Sequence, residues 1–138
     1  MYEYRCVVVG VVDGDTVDVD IDLGFGVWLR DERIRLADVD TPEVRTRDLA
    51  EKDHGILAKN FVTSYLLPGT IVTLHSKAFK GKFGRILGDF SVYDSATDSW
   101  RLLTALLLEN HLAVPYLDSK EEMERLHLEN RKTLNLSE

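Results

Sequence analysis

Two short stretches of this chain gather side chains suited to holding a hard cation beside an anion. They are Asp13-Gly14-Asp15-Thr16 and Arg35-Leu36-Ala37-Asp38-Val39-Asp40-Thr41-Pro42-Glu43. Both put carboxylates where a strand meets a turn. A hard divalent cation takes oxygen ligands, and two aspartates with a backbone carbonyl and waters make a sphere that suits calcium. Arg35 precedes the second carboxylate pair on the same strand, and a guanidinium grips a phosphate through two parallel hydrogen bonds. Each piece is common by itself. Asp-Gly-Asp is ordinarily a turn, Asp-Thr-Pro-Glu starts turns and helices, and an arginine within a strand usually faces solvent. The ordered combination carries the signal.

A third group is softer. Lys77, Lys80, Lys82 and Arg85 form a short basic run with Phe79 and Phe83 interleaved. Such a run is a solvated loop or, next to a phosphate site, a nucleic-acid contact. His54, His75, His111 and His127 are scattered without ligand spacing and read as ordinary surface or core histidines.

The elements that must position these groups follow from periodicity. Tyr4 to Val12 is valine-rich and ends in the turn Asp13-Gly14. Thr16 to Leu23 alternates Val17, Val19, Ile21 and Leu23 with Asp18, Asp20 and Asp22, the period of a half-buried strand. Val27 to Leu36 reads as a third strand. Between Leu49 and Leu66 the period becomes helical, and Pro68-Gly69 stops the helix. Thr70 to Ser76 and Ile86 to Tyr93 read as two further strands, the second closing in the polar turn Asp94 to Ser99. Leu102 to Glu109 is a short apolar helix. Ser119 with Glu122 three residues later is a capping-box signature for a last helix reaching about Asn135. The order β-β-β-α-β-β-α-α predicts an α+β, mostly β, fold: a five-stranded OB-type barrel with three helices, residues 1–138 forming a single domain.

Composition sets limits. The apolar and charged fractions are those of an ordinary globular protein. One cysteine, Cys6, excludes an internal disulfide and favours a reducing compartment; in its apolar run it reads as a small core residue. Nothing resembling a secretory segment opens the chain, and no apolar stretch, that around Ala105 to Leu108 included, approaches the length of a membrane span. A cytoplasmic, monomeric protein without a membrane partner is the expectation. The formal net charge of −7 speaks against a general-purpose nucleic-acid binder, although a bound cation brings its own positive charge.

Asp13-Gly14-Asp15-Thr16-Val17, Ile34-Arg35-Leu36 through Asp40-Thr41-Pro42-Glu43, and Lys82-Phe83-Gly84-Arg85 resemble, in order, the three motif blocks of the thermonuclease (staphylococcal nuclease-like) family. Gly55 to Phe61 is similar to the family's first helix, and Leu112-Ala113 to Tyr116 to the segment after its second, so the resemblance runs from about Tyr4 to Leu136. It implies a calcium-dependent nuclease acting on DNA or RNA and leaving 3′-phosphate ends. By the same resemblance, Asp15 and Asp40 ligate calcium by carboxylate and Thr41 by its carbonyl. Glu43 is the general base for the attacking water, Arg35 and Arg85 hold the phosphate, and Lys82 and Tyr116 contact the bound nucleotide. Calcium acidifies water poorly compared with zinc, so a separate protein base agrees with this assignment.

Three departures stand out. Phe83 takes the place of a usual tyrosine, Asp38 adds a carboxylate expected beside the metal, and the tail Leu134-Asn135-Leu136-Ser137 lacks the tryptophan of some members. The main rival is a catalytically idle OB-fold nucleic-acid-binding module of the same fold, like the nuclease-like repeats of Tudor-containing coactivators. Its mark is loss of the ligands or arginines, and Asp15, Arg35, Asp40, Glu43 and Arg85 are all present. A single-strand binder needs exposed aromatics and a basic groove, which the net charge opposes. A calcium-stabilised structural domain has no use for paired arginines at its metal.

Overall fold

The computed structural model describes residues 2–78 and 85–136. Its elements are β1 (Tyr2–Asp13), β2 (Thr16–Gly24), β3 (Val27–Leu36), β4 (Val39–Asp40), α1 (Leu49–Tyr65), β5 (Ile71–Ala78), β6 (Ile86–Asp94), β7 (Ser99–Leu102), α2 (Leu103–Glu109), β8 (Val114–Pro115) and α3 (Lys120–Thr133). Five strands run in the order β3-β2-β1-β5-β6, and β3 returns to β6 to close the ring. That last pairing is parallel, Ile34 opposite Ile86, Arg35 opposite Leu87 and Leu36 opposite Gly88. A five-stranded ring of short strands with helices outside it is the OB-type barrel expected from the strand spacing. Strand β7 extends the sheet beyond β6, and β4 pairs with β8 in a separate two-stranded sheet.

The barrel closes because its alternation is consistent. Val17, Val19, Ile21, Ile34, Leu36, Leu74 and Phe90 point into one core, capped by Ala58, Val62 and Leu66 from the α1 region and Leu103, Leu106 and Leu107 from α2. Cys6 is buried among them, and its burial pushes the thiol up to about 12. The aspartates of β2 face outward and meet arginines: Asp18 with Arg33 at 2.9 Å, Asp20 with Arg30 at 3.2 Å and Asp22 with Arg5 at 3.0 Å.

Helix ends follow local rules. Asp48 caps α1, its carboxylate accepting from the Ala50 and Glu51 amides, and Gly69 turns the chain after it at φ 88°. Ser119 caps α3 by accepting from the Glu122 amide at 3.2 Å, while the Glu122 carboxylate turns to Arg125. The start of α2 is satisfied from the barrel instead. Buried Asp89 of β6 accepts from the Thr104 amide and hydroxyl and from the Phe90 amide, and its burial raises the carboxyl above the usual range. Among the described residues, no helix is long and apolar enough to cross a membrane.

Candidate active site

At one mouth of the barrel, the turn after β1 and the segment after β3 come together under α1. Two glycines permit this. A Cβ on Gly14 would lie 2.8 Å from the Ala58 Cβ and 3.1 Å from the Thr41 hydroxyl, so only glycine lets the β1–β2 turn sit under α1. A Cβ on Gly55 would lie 2.6 Å from the Glu43 carbonyl oxygen, so the Glu43 backbone rests directly on the helix. The turn is then tied to the end of β3, where the Leu36 amide donates to the Asp15 carbonyl at 2.8 Å. The Thr41 amide donates to the Asp15 carboxylate at 3.4 Å.

Arg35 forms the floor. Its side chain is 13% exposed, against 52% for Arg33 on the same strand. One terminal nitrogen donates to the carbonyls of Leu36 and Val39 at 2.6 and 2.9 Å. The other lies 3.5 Å from Asp15 Oδ2 and 3.8 Å from Asp40 Oδ1. Both carboxylates therefore converge on one guanidinium edge, Asp15 from the β1–β2 turn and Asp40 from β4. Asp13, Asp15, Thr16, Arg35, Asp40, Thr41, Pro42, Glu43 and Arg85 line a polar cleft of about 170 Å³. At ~30 Å³ per water, that is room for a cation and part of its hydration shell. Burial raises the Glu43 carboxyl above the usual range, and the charges of Asp15, Asp40 and Asp13 raise it further. The cleft thus carries more negative charge than Arg35 and Arg85 balance, an excess that a bound cation would offset.

Of the residues singled out by sequence, Asp15, Arg35, Asp40, Thr41, Glu43 and Arg85 all line this cleft. Tyr116 lies in the adjoining one, about 290 Å³, with Arg35, Leu36, Asp38, Val39, Arg85 and Leu87. Its ring centroid is 6.0 Å from the Arg35 guanidinium carbon. Arg35 and Arg85 are common to both clefts. Lys82 lies outside the described residues, as do Phe79, Lys80 and Phe83.

Two expectations need correction. Asp38 does not stand beside the carboxylates. It adopts a left-handed conformation, φ 66°, lines the Tyr116 cleft and pairs with Lys77 at 3.2 Å; Asp13 is the fourth acid of the polar cleft instead. And His127 is no ordinary histidine: buried on α3, it lies with Nε2 2.9 Å from Asp40 Oδ2. Their separation of 87 positions leaves no spacing pattern from which this pair could be read.

Among the described residues, no group of three His, Cys, Asp or Glu side chains is arranged to hold a metal. The donor set expected here does not require one, since it has two carboxylates and a backbone oxygen, and Asp15 and Asp40 meet that chemistry.

The family model described as Staphylococcal nuclease homologue matches residues 33–133, well over half of the chain, and the chain belongs to that family. It is similar to the thermonuclease of Staphylococcus intermedius, 35% identical over 77 residues, which is 56% of this chain and 42% of that protein. The match thus spans less than half of the relative's length. The family stretch begins at Arg33, so Asp15 lies outside it, and it is the barrel that delivers Asp15 to the cleft.

Proposed function

We propose that the protein is a calcium-dependent nuclease that hydrolyses phosphodiester bonds in DNA and/or RNA. The observation that carries this reading is the convergence of Asp15, Asp40 and Glu43 on Arg35 and Arg85 in one polar cleft. Asp15 and Asp40, with the Thr41 carbonyl, would hold the cation. When bound, calcium supplies a positive charge that polarises a phosphoryl oxygen and offsets the crowded carboxylates.

The chain's own residues account for the rest. Glu43 accepts a proton from a water as its oxygen bonds to phosphorus, the part of a general base. The P–O5′ bond breaks as that bond forms, leaving a 3′-phosphate; the departing oxygen takes a proton from solvent to become a hydroxyl, and Glu43 returns its own to solvent. Arg35 is locked by its two carbonyl partners, so its carboxylate-facing edge is preorganised for the charge that gathers on the phosphate. Arg85 acts from the shared wall of the two clefts. Tyr116 and Lys82 contact the nucleotide, the adjoining cleft taking its sugar and base.

The test is incubation with single- and double-stranded DNA and RNA, with calcium, with magnesium and with a chelator. Calcium-dependent cleavage to 3′-phosphate ends is the expected result. Binding without cleavage under every condition would leave the idle nucleic-acid-binding module as the better reading.

A further inference from the structure

The buried face of α3 is polar. Its two buried residues are His127 and Arg131, four apart and so stacked on one side of the helix. Burying such groups is costly unless they are partnered. Arg131 Nη1 meets Nδ1 of His54, a wholly buried residue of α1, at 3.3 Å, and His54 Nε2 meets the His111 carbonyl at 2.8 Å. Arginine only donates and a carbonyl only accepts, so His54 accepts at Nδ1 and carries its proton on Nε2. The His127 ring stands edge-on to His54, with centroids 6.0 Å apart and planes at 84°. Among the described residues, the one buried side-chain nitrogen or oxygen without a partner is His127 Nδ1. An aliphatic side chain would fill the same space without that cost, so packing does not explain the histidine. Its remaining nitrogen does.

We propose that His127 is a positioning residue for Asp40, donating from Nε2 to one carboxylate oxygen so that the other is turned to the cation. Asp40 Oδ2 is held by His127 at 2.9 Å, while Oδ1 faces the Arg35 guanidinium at 3.8 Å. Asp40 needs this help because its strand, β4, is only two residues long and pairs only with the equally short β8. A carboxylate on so small a sheet turns about its own bonds unless something stops it. His127 stops it, and the contacts of His54 with Arg131 and His111 keep α1, α3 and the chain before β8 in register behind it. The proposal rests on Asp40 being a metal ligand and adds what aims it. Ligand residues are generally oriented by such outer partners, whose loss weakens metal binding about ten- to a hundredfold.

Calcium titration calorimetry on the wild-type protein, His127→Ala, His127→Gln and His127→Asn tests it. Glutamine places a donor near the position of Nε2, whereas asparagine is too short to reach Asp40. Calcium affinity should fall about ten- to a hundredfold in His127→Ala and His127→Asn, and His127→Gln should recover to within about threefold of wild type. In the cleavage assay the calcium concentration for half-maximal rate should move by the same factor, with the rate at saturating calcium less affected. Melting temperatures in chelator identify loss of packing, which affects all three variants and does not follow calcium affinity. If alanine prevents folding, the asparagine–glutamine contrast decides. Wild-type calcium affinity in His127→Asn, or no recovery in a folded His127→Gln, overturns the role of His127 alone. Failure of the wild-type protein to bind calcium overturns the reading of Asp40 as well.

Discussion

Arg33 and Arg35 stand two residues apart on the same face of β3, each meeting aspartate, yet they live in different worlds. Arg33 is paired one-to-one with Asp18, its directly opposed neighbour on β2, and stands half in water. Arg30 and Arg5 repeat that arrangement with Asp20 and Asp22. Exposed pairs of this kind contribute little to stability and neutralise each other. Arg35 is covered where β3 ends and the chain runs on, donates to the carbonyls of Leu36 and Val39 and is shared by two carboxylates at distances too long for short hydrogen bonds. The outer wall is closed electrostatically. At the barrel mouth, four acids face two arginines, and the negative charge is left unbalanced. The same two residue types therefore make a charge-balanced wall or an unbalanced cleft, according to whether their partners are matched.

The largest effect expected from breaking the open side is at Glu43. Replacing it by glutamine should lower turnover by roughly 10²–10⁴-fold and leave calcium affinity nearly intact, read by kcat and by calorimetry on the same preparation. Turnover within about threefold of wild type would remove Glu43 from the mechanism.

The two arginines make the comparison direct. Arg35→Lys keeps the charge but loses the fork that engages Leu36 and Val39 while facing the cleft. It should reduce kcat/KM by roughly 10²–10³-fold, as removal of a preorganised donor does. Arg33→Lys should change kcat/KM by less than about threefold and stability by less than ~1 kcal/mol. Similar losses from both would erase the distinction between wall and cleft.

Why only part of this was legible in the sequence follows from the same contrast. Alternation in β2 marks which side chains face outward, because a one-residue slip would expose Val17 and Val19; the other four barrel strands are legible as apolar runs bounded by turn signals. Neither signal says which part of the outer face another segment will cover, so Arg35 and Arg33 look alike. Asp38 and Asp40 differ by two positions and should share a face in a strand. The left-handed turn at Asp38 sends it to the other cleft. Strands β4 and β8 are too short to carry a periodic signal, and β7 lies where the sequence suggests only a turn and a helix start. His127 reaches Asp40 through the packing of α3 on β8, the strand that pairs with β4.

Behind the cleft, His54 provides a stability test. Burial pushes its pKa down to about 4 from 6.5, with Arg131 and His127 adding to the effect. The unfolded chain takes up a proton near pH 6.5 that the folded protein refuses until about pH 4. Its contribution is therefore fully present above pH 6.5 and is lost as the pH falls towards 4, by roughly 3 kcal/mol in all. Guanidinium unfolding of the wild-type protein and His54→Gln at pH 7 and pH 4.5 separates this contribution from that of the carboxylates. An equal drop in both proteins would show that His54 is not its source.

The smallest effect sharpens the comparison between the two clefts, since Asp13 and Asp38 are each one acid on one side of the shared arginine wall. Asp13 belongs to the polar cleft, where its charge favours a cation. Asp38 belongs to the cleft proposed for the nucleotide, where its charge opposes a phosphate and occupies Lys77. Asp38→Asn removes the opposing charge and releases Lys77, so a nucleoside 3′,5′-bisphosphate should bind about two- to fivefold tighter, with calcium affinity unchanged. Asp13→Asn should do the reverse, weakening calcium by a similar factor. Asp38 is largely exposed, so its effect should shrink as salt is raised from 0.05 to about 0.5 M, where screening reaches only a few ångströms. Calorimetry of both ligands on both variants gives four numbers. If Asp38→Asn weakens the nucleotide, the carboxylate is a contact to the base or sugar and not a repulsive charge. If it alters calcium affinity as much as Asp13→Asn does, the two clefts act as a single electrostatic pocket, and the division drawn at Arg35 and Arg85 fails.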